Sequence, residues 1–166
     1  MTPFRVRPTV EQDWPRVRDL RLEMPGDTPI AYLETLEAAE RHPESHWRRQ
    51  ARGRASGVRL VAETPAGAFL GTMGGVVSEG VATLVGVYVT PRSRGRRAGV
   101  TDALLDGVEA WAARQGDQLR LEVNERNPRA IAAYAARGFV MTGRTSPYPL
   151  PPHSLELEMV KALRVV

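Results

Sequence analysis

The stretch from Val81 to Val123 limits the fold more than any other part of the chain. "VATLVGVYV" is an apolar strand-like segment, "TPRSRGRRAG" a loop rich in glycine and arginine, and "LRLEV", Leu119 to Val123, a second strand. Between them Val100, Ala103, Leu104, Val108 and Trp111 recur at helical spacing, with an end near Gln115-Gly116. A strand, helix, strand unit of this kind places its strands parallel, with a right-handed crossover. Upstream, "VRLVAE" and "AFLGTMGGVV" join through Thr64-Pro65-Ala66-Gly67, and "VATLVGVYV" follows the turn at Ser78-Glu79-Gly80. Such short connections predict antiparallel neighbours.

The flanks complete an α/β (α+β) reading. Phe4 to Arg7 alternates as a first strand, and Thr9 to Gln12 forms a capping box before a helix that buries Trp14, Val17, Leu20 and Met24 and stops at Pro25-Gly26. Asp27 to Gly53 holds two short helices separated at His42-Pro43, the first with Tyr32, Leu33 and Leu36 on its apolar side and the second opened by Pro43. "NPRAIAAYAARG" reads as a helix with Asn127 as N-cap, Pro128 at its first position and Gly138 as stop. "FVMTG" and "SLELEMVKAL" supply final strands around a proline-rich loop from Pro147 to Pro152. Repeated crossovers of a doubly wound fold fit less well.

The 166 residues suit a single domain, 1–166. No apolar run reaches the roughly 20 residues of a membrane span, and "MTPFRVRPTVEQDWP" lacks a signal-peptide core, so a cytoplasmic protein without membrane partners is expected. The absence of cysteine excludes disulfides, thiolate metal sites and cysteine nucleophiles. His42, His46 and His153 show no ligand spacing, so no metal is expected. The net charge of +4 is spread among alternating acids and bases, as in "RVRDLRLE", which is the pattern of a solvated surface. No aromatic platform or long basic stripe points to nucleic acid.

Arg92, Arg94, Arg96 and Arg97 are the exception, because a helix N-terminus already carries partial positive charge. A strand that feeds a helix through a glycine-containing turn binds phosphate well. The loop has neither a Walker lysine nor a GxGxxG fingerprint. A pyrophosphate-like anion held by backbone amides from about Gly95 to Val100 remains, against the plainer reading of a basic turn that merely starts a helix.

Two segments in order, "VYVTPRSRGRRAGVTDALL" and "LEVNERNPRAIAAYAARGF", resemble the GNAT superfamily of N-acetyltransferases. The first matches its R/Q-x-x-G-x-G/A loop after a V-x-P-type strand end, and the second its N-x-x-A-x-x-x-Y-x-x-x-G-F segment. The resemblance implies a mixed, mostly antiparallel sheet of six to seven strands with a central splayed parallel pair, flanked by about four helices. It implies acetyl-CoA as cosubstrate, with Arg94, Gly95, Arg96, Arg97, Ala98, Gly99 and Val100 around the pyrophosphate. The backbones of Val87 and Val89 would bond pantetheine, and Asn127 and Ala130 would line it. Arg97 stands where the family usually has its first motif glycine. It crowds the phosphate if that position needs φ > 0 or close backbone approach, and otherwise points harmlessly outward.

Acetyl transfer needs a neutral amine, a stabilised oxyanion and a proton for the departing thiolate. The resemblance assigns the proton to Tyr134; without it, a core tyrosine beside Ile131 and Ala135 would be the default. A backbone N–H at the Val87 to Val89 strand end is the natural oxyanion donor. No base is assigned: the strand before the loop has no carboxylate, and Glu34, Glu37, Glu122 or a water chain stay open. The acceptor is expected between the early helices and the Tyr148 to His153 loop, with Tyr32, Trp47, Tyr148 and His153 as candidate lining. A primary amine of a small molecule or a peptide N-terminus both fit, and members of the family are often homodimers. Arg97 and the missing strand carboxylate also suggest an alternative, a non-catalytic acyl-CoA sensor.

Overall fold

The two crossover strands, β4 (Val81–Val89) and β5 (Gln118–Asn124), begin side by side and then fork. In a computed structural model, which describes residues 2–29 and 32–164, they pair in parallel only at Ala82 with Leu119 and Thr83 with Arg120. The other strands are β1 (Arg5–Pro8), β2 (Gly57–Glu63), β3 (Phe69–Ser78), β6 (Val140–Pro147) and β7 (Leu155–Ala162). They form one seven-stranded sheet in the order β1-β2-β3-β4-β5-β7-β6, antiparallel at every pair except β4–β5. Among the described residues five helices accompany it: α1 (Trp14–Asp27), α2 (Leu36–Glu40), α3 (Glu44–Arg52), α4 (Val100–Ala113) and α5 (Pro128–Ala136). The mixed sheet and its splayed central pair match the expected class.

The fork has a local cause. Thr72 faces Tyr88 while Gly74 faces Val85, so Met73 stands against two residues, Gly86 and Val87. Gly86 takes φ +60°, which a residue without Cβ adopts at little cost. This extra residue bends β4, as a bulge does, and carries its last residues away from β5.

One face of the sheet is sealed by α4. Val100, Leu104, Leu105, Val108 and Trp111 pack on Leu60, Ala62, Met73, Leu84, Leu119, Leu121 and Met159 in a single cluster. Close approach depends on two missing side chains: a Cβ on Gly75 would lie 2.4 Å from the Trp111 ring, and one on Gly107 would lie 2.6 Å from Leu60 Cδ1. The opposite face, over which α1 and α3 lie, is left partly open.

Several local expectations need correction. The Thr9 hydroxyl donates to Ala51 C=O at 2.6 Å instead of capping; the Asp13 carboxylate accepts from Val10 N–H at 2.8 Å. Asp13 and Glu63 together bind Arg7 and Arg16, a tie between β1, β2 and α1 that sequence spacing does not show. Pro25 does not stop α1, which runs to Asp27 with Thr28 N–H bonded to Met24 C=O at 3.0 Å. So near the C-terminus the ring removes one donor without ending the helix. Trp14 is only half-buried, its ring beneath Arg48. The first short helix is Leu36–Glu40 alone, with Tyr32 buried ahead of it and Leu33 exposed. Ile30 and Ala31, inside the expected helix, lie outside the described residues.

Candidate active site

The fork opens two cavities that meet at its vertex. A cleft of about 850 Å³ runs between the ends of β4 and β5, the loop after β4, and α5. A pocket of about 980 Å³ lies on the α1 and α3 side, over β2, β3 and β4. Tyr32, Leu84, Val85, Gly86, Glu122 and Glu156 line both.

Along the cleft, β4 presents an open backbone edge. Gly71 pairs with Val89 and Thr72 with Tyr88, and Thr90 N–H bonds Leu70 C=O at 2.9 Å. Peptide groups alternate sides along a strand, so those of Val87 and Val89 point away from β3, where β5 has departed. Their carbonyls are engaged: Tyr32 Oη donates to Val87 C=O at 2.7 Å, and Arg94 Nε to Val89 C=O at 2.8 Å. Their N–H groups face the cleft with no strand opposite.

The loop then makes a 3-10 turn at Pro91–Ser93 and reaches α4 through Gly95 (φ +96°) and Gly99 (φ +71°). Gly99 is the N-cap of α4 and supplies no side-chain cap, so the first N–H groups of the helix have no intrahelical acceptor. Arg97 is not in the left-handed region and its side chain is exposed. The left-handed positions of the loop are the glycines. Gly95 and Arg96 line the cleft; Arg97, Ala98 and Gly99 do not, and the Val100 side chain belongs to the core. Arg94 is committed to an ion pair with Asp27 at the end of α1.

On α5, Asn127 Oδ1 accepts from Ala130 N–H at 3.2 Å, the expected N-cap. Asn127, Ala130 and Tyr134 lie on one helical face toward the cleft. The Tyr134 ring meets Phe139 edge-on at 5.7 Å, and its hydroxyl makes no hydrogen bond among the described residues. Burial pushes the Tyr134 phenol up to about 12.

The pocket departs further from expectation. Tyr32 and Trp47 line it, whereas Tyr148 and His153 do not. Tyr148 is buried, with Oη 2.6 Å from Tyr32 C=O and 3.1 Å from Pro29 C=O, and His153 is exposed. Glu34 bridges Arg21, at 3.0 Å, and His42, while Glu37 is exposed and paired with Arg41. Sequence reading missed Glu156. It lies on β7 opposite Asn124, is buried, and stands diagonal to Glu122 on β5. Burial, and then the charge of Glu122, hold its carboxyl above the ordinary carboxylate range, against an Asn124 contact that lowers it. The available signal was the alternation in "SLELEMVKAL": Leu157 and Met159 reach the core, so Glu156 and Glu158 share the other face.

The family model described as the Acetyltransferase (GNAT) family matches residues 14–139. The chain belongs to the GNAT acetyltransferase family. A GCN5-related N-acetyltransferase from Kribbella flavida shares this GNAT protein's fold at 22% identity, covering 96% of this chain and 98% of that one with a TM-score of 0.76. A ribosomal-protein-alanine N-acetyltransferase from Brucella melitensis shares it at 24% identity, over 96% and 99%, with a TM-score of 0.76. A phosphinothricin acetyltransferase from Sinorhizobium meliloti, solved with AcCoA, does so at 19% identity, over 98% and 89%, with a TM-score of 0.75. No curated protein matches the chain. Among the described residues of this GNAT protein, no helix is long and apolar enough to cross a membrane, and no group of three or more acidic or histidine side chains is placed to hold a metal ion.

Proposed function

We propose that the protein transfers the acetyl group of acetyl-CoA directly to a primary amine of a small molecule or a peptide N-terminus. The observation that carries this reading is the open β4 edge at Val87 and Val89 beside an α4 start that is left without a side-chain cap. Acetyl-CoA supplies an activated thioester carbonyl. The cleft fits such a molecule in shape and chemistry. The loop at Gly95 and Arg96, with the uncapped N–H groups at the start of α4, suits a pyrophosphate, and the edge of β4 suits an amide-bearing arm bordered by Asn127 and Ala130. The Val87 and Val89 N–H groups, already oriented, suit a developing negative charge.

Tyr134 is the proton donor of this scheme. At an acidity near 12 its phenol stays protonated throughout the neutral range, so the proton is in place when a thiolate departs. Glu156, with Glu122 beside it, takes the proton of the attacking amine. A raised pKa makes a carboxylate a stronger base, and both side chains line the vertex where cleft and pocket meet. These carboxylates stand in for the one that β4 lacks, which weakens the sensor alternative.

Isothermal titration with acetyl-CoA, coenzyme A and dephospho-coenzyme A, run beside free-thiol release over an amine panel, tests the reading. Micromolar binding with thiol release is expected. Binding without turnover on any amine favours the sensor, and no binding overturns the proposal.

A further inference from the structure

Arg59 is one of five arginines that line the pocket, with Arg21, Arg49, Arg52 and Arg54, and its guanidinium lies beside Gly86. It sits on β2 opposite Gly74, and its guanidinium extends across the sheet to β4, where Nη1 lies 3.7 Å from the place a Cβ on Gly86 would take. Among the described residues its side chain makes one hydrogen bond, a long one to a neutral group, Nη2 to Gln50 Oε1 at 3.3 Å, and no ion pair. Arg7, Arg16, Arg21 and Arg94 each hold a carboxylate. A half-buried guanidinium without a counter-charge carries a desolvation cost, and such groups are normally matched. Burial, with Arg21 and Arg54 nearby, pulls Arg59 below the ordinary arginine value, so its surroundings add positive charge to the site. Glu122 and Glu156 stand at the vertex end of the same pocket, also without an ion pair among the described residues.

The pocket therefore holds the Arg59 guanidinium and the Glu122 and Glu156 carboxylates, none of them in an ion pair among the described residues, whereas Arg21 and Arg52, which also line it, are paired with Glu34 and Glu11. The guanidinium reaches β4, and the carboxylates come from β5 and β7, one and two strands further on. Because β4 and β5 have diverged here, that gap is wider than the roughly 5 Å per strand of ordinary spacing. We infer that the acceptor is a small amine that also carries an oxyanion, a carboxylate or a phosphonate, with the anion on Arg59 and the amine toward Glu122 and Glu156. The inference rests on the acetyltransferase reading above. A polyamine would set a second cation against Arg59. A peptide N-terminus would bring a neutral carbonyl where the guanidinium calls for a charge.

The experiment compares acetyl transfer to α-amino acids and aminoalkylphosphonates with transfer to the matching carboxamides and to simple monoamines. Direct titration of each acceptor into the coenzyme A-loaded protein gives a readout apart from activity. The oxyanion-bearing amines are expected to be the better substrates. In Arg59→Met the preference for oxyanion over carboxamide should collapse by about tenfold or more, the loss of one charge-assisted contact, with a weaker acceptor Kd. Arg59→Lys should recover part of it, and acetyl-CoA affinity serves as the check that both variants are folded. Phosphonate and carboxylate members separate the two oxyanion sources. Better turnover of neutral or polycationic amines, an unchanged preference in Arg59→Met, or acetyl-CoA binding with no turnover of any oxyanion-bearing amine would overturn the inference alone. Failure to bind acetyl-CoA would overturn the acetyltransferase reading with it.

Discussion

The cleft and the pocket on either side of the β4–β5 fork are built from different parts of the polypeptide. The cleft is framed largely by backbone: the free edge at Val87 and Val89, the left-handed Gly95, and the uncapped start of α4. The pocket is side chains brought together from α1, α3, β2, β5 and β7, with Arg59 and Glu156 nearly a hundred positions apart. Backbone geometry is set by neighbouring residues in a run, so it accepts changes of side chain that keep φ and ψ. A pocket of charged side chains is altered by one substitution on any of its strands. The same fold can thus keep one cosubstrate site while its acceptor site changes.

Variants that separate the two regions would break or sharpen this contrast. The largest effect is expected for Tyr134→Phe, which removes a proton donor and leaves the backbone groups in place. Steady-state kinetics should show kcat lower by about 10²- to 10³-fold with acetyl-CoA Kd unchanged by calorimetry. An equal loss of affinity would make Tyr134 structural.

Glu156→Gln should lower kcat by about a hundredfold at neutral pH, again without weakening acetyl-CoA. The pH dependence carries a sign. The carboxyl is raised above its free value of about 4.3, and it acts as a base only when ionised. At saturating substrates kcat should therefore fall as pH drops through that raised value, and Glu156→Gln should lose this limb. Retention of the limb in Glu156→Gln and its loss in Glu122→Gln would move the base to β5.

The smallest effect tests the backbone side. At Gly99 an added Cβ meets nothing within 4 Å, so Gly99→Ala changes only the cost of φ +71°. Stability should drop by about 1–2 kcal/mol in urea unfolding, and acetyl-CoA Kd should rise about tenfold while Tyr134-dependent kcat is kept. A loss of kcat with unchanged Kd would show that the loop does not hold the cosubstrate.

What could be read along the chain follows the same division. The crossover from β4 through α4 to β5 is local, and its periodicity and glycine positions foretold its elements within a few residues. Asn127 as cap and Gly138 as stop were equally legible, because each acts within one helical turn. Pro25 misled because the cost of a proline depends on which hydrogen bond it removes, and here α1 was already near its end. Tyr148 misled because a tyrosine spaced like a pocket residue turned its hydroxyl to two backbone carbonyls of the segment before α2. At Arg97 the sequence left φ open, and only the folded backbone shows it outside the left-handed region.

By itself the sequence determined the order of elements, the single parallel crossover, and the two glycine-dependent motifs, since each rests on contacts between residues close along the chain. Tertiary structure alone decided that the bulge at Gly86 opens the fork, that Arg59 reaches across two strands to its vertex, and that Glu156 rather than any acid on β4 stands there. Those placements depend on strand order and register, which bring together residues whose separation along the chain says nothing about their distance in space.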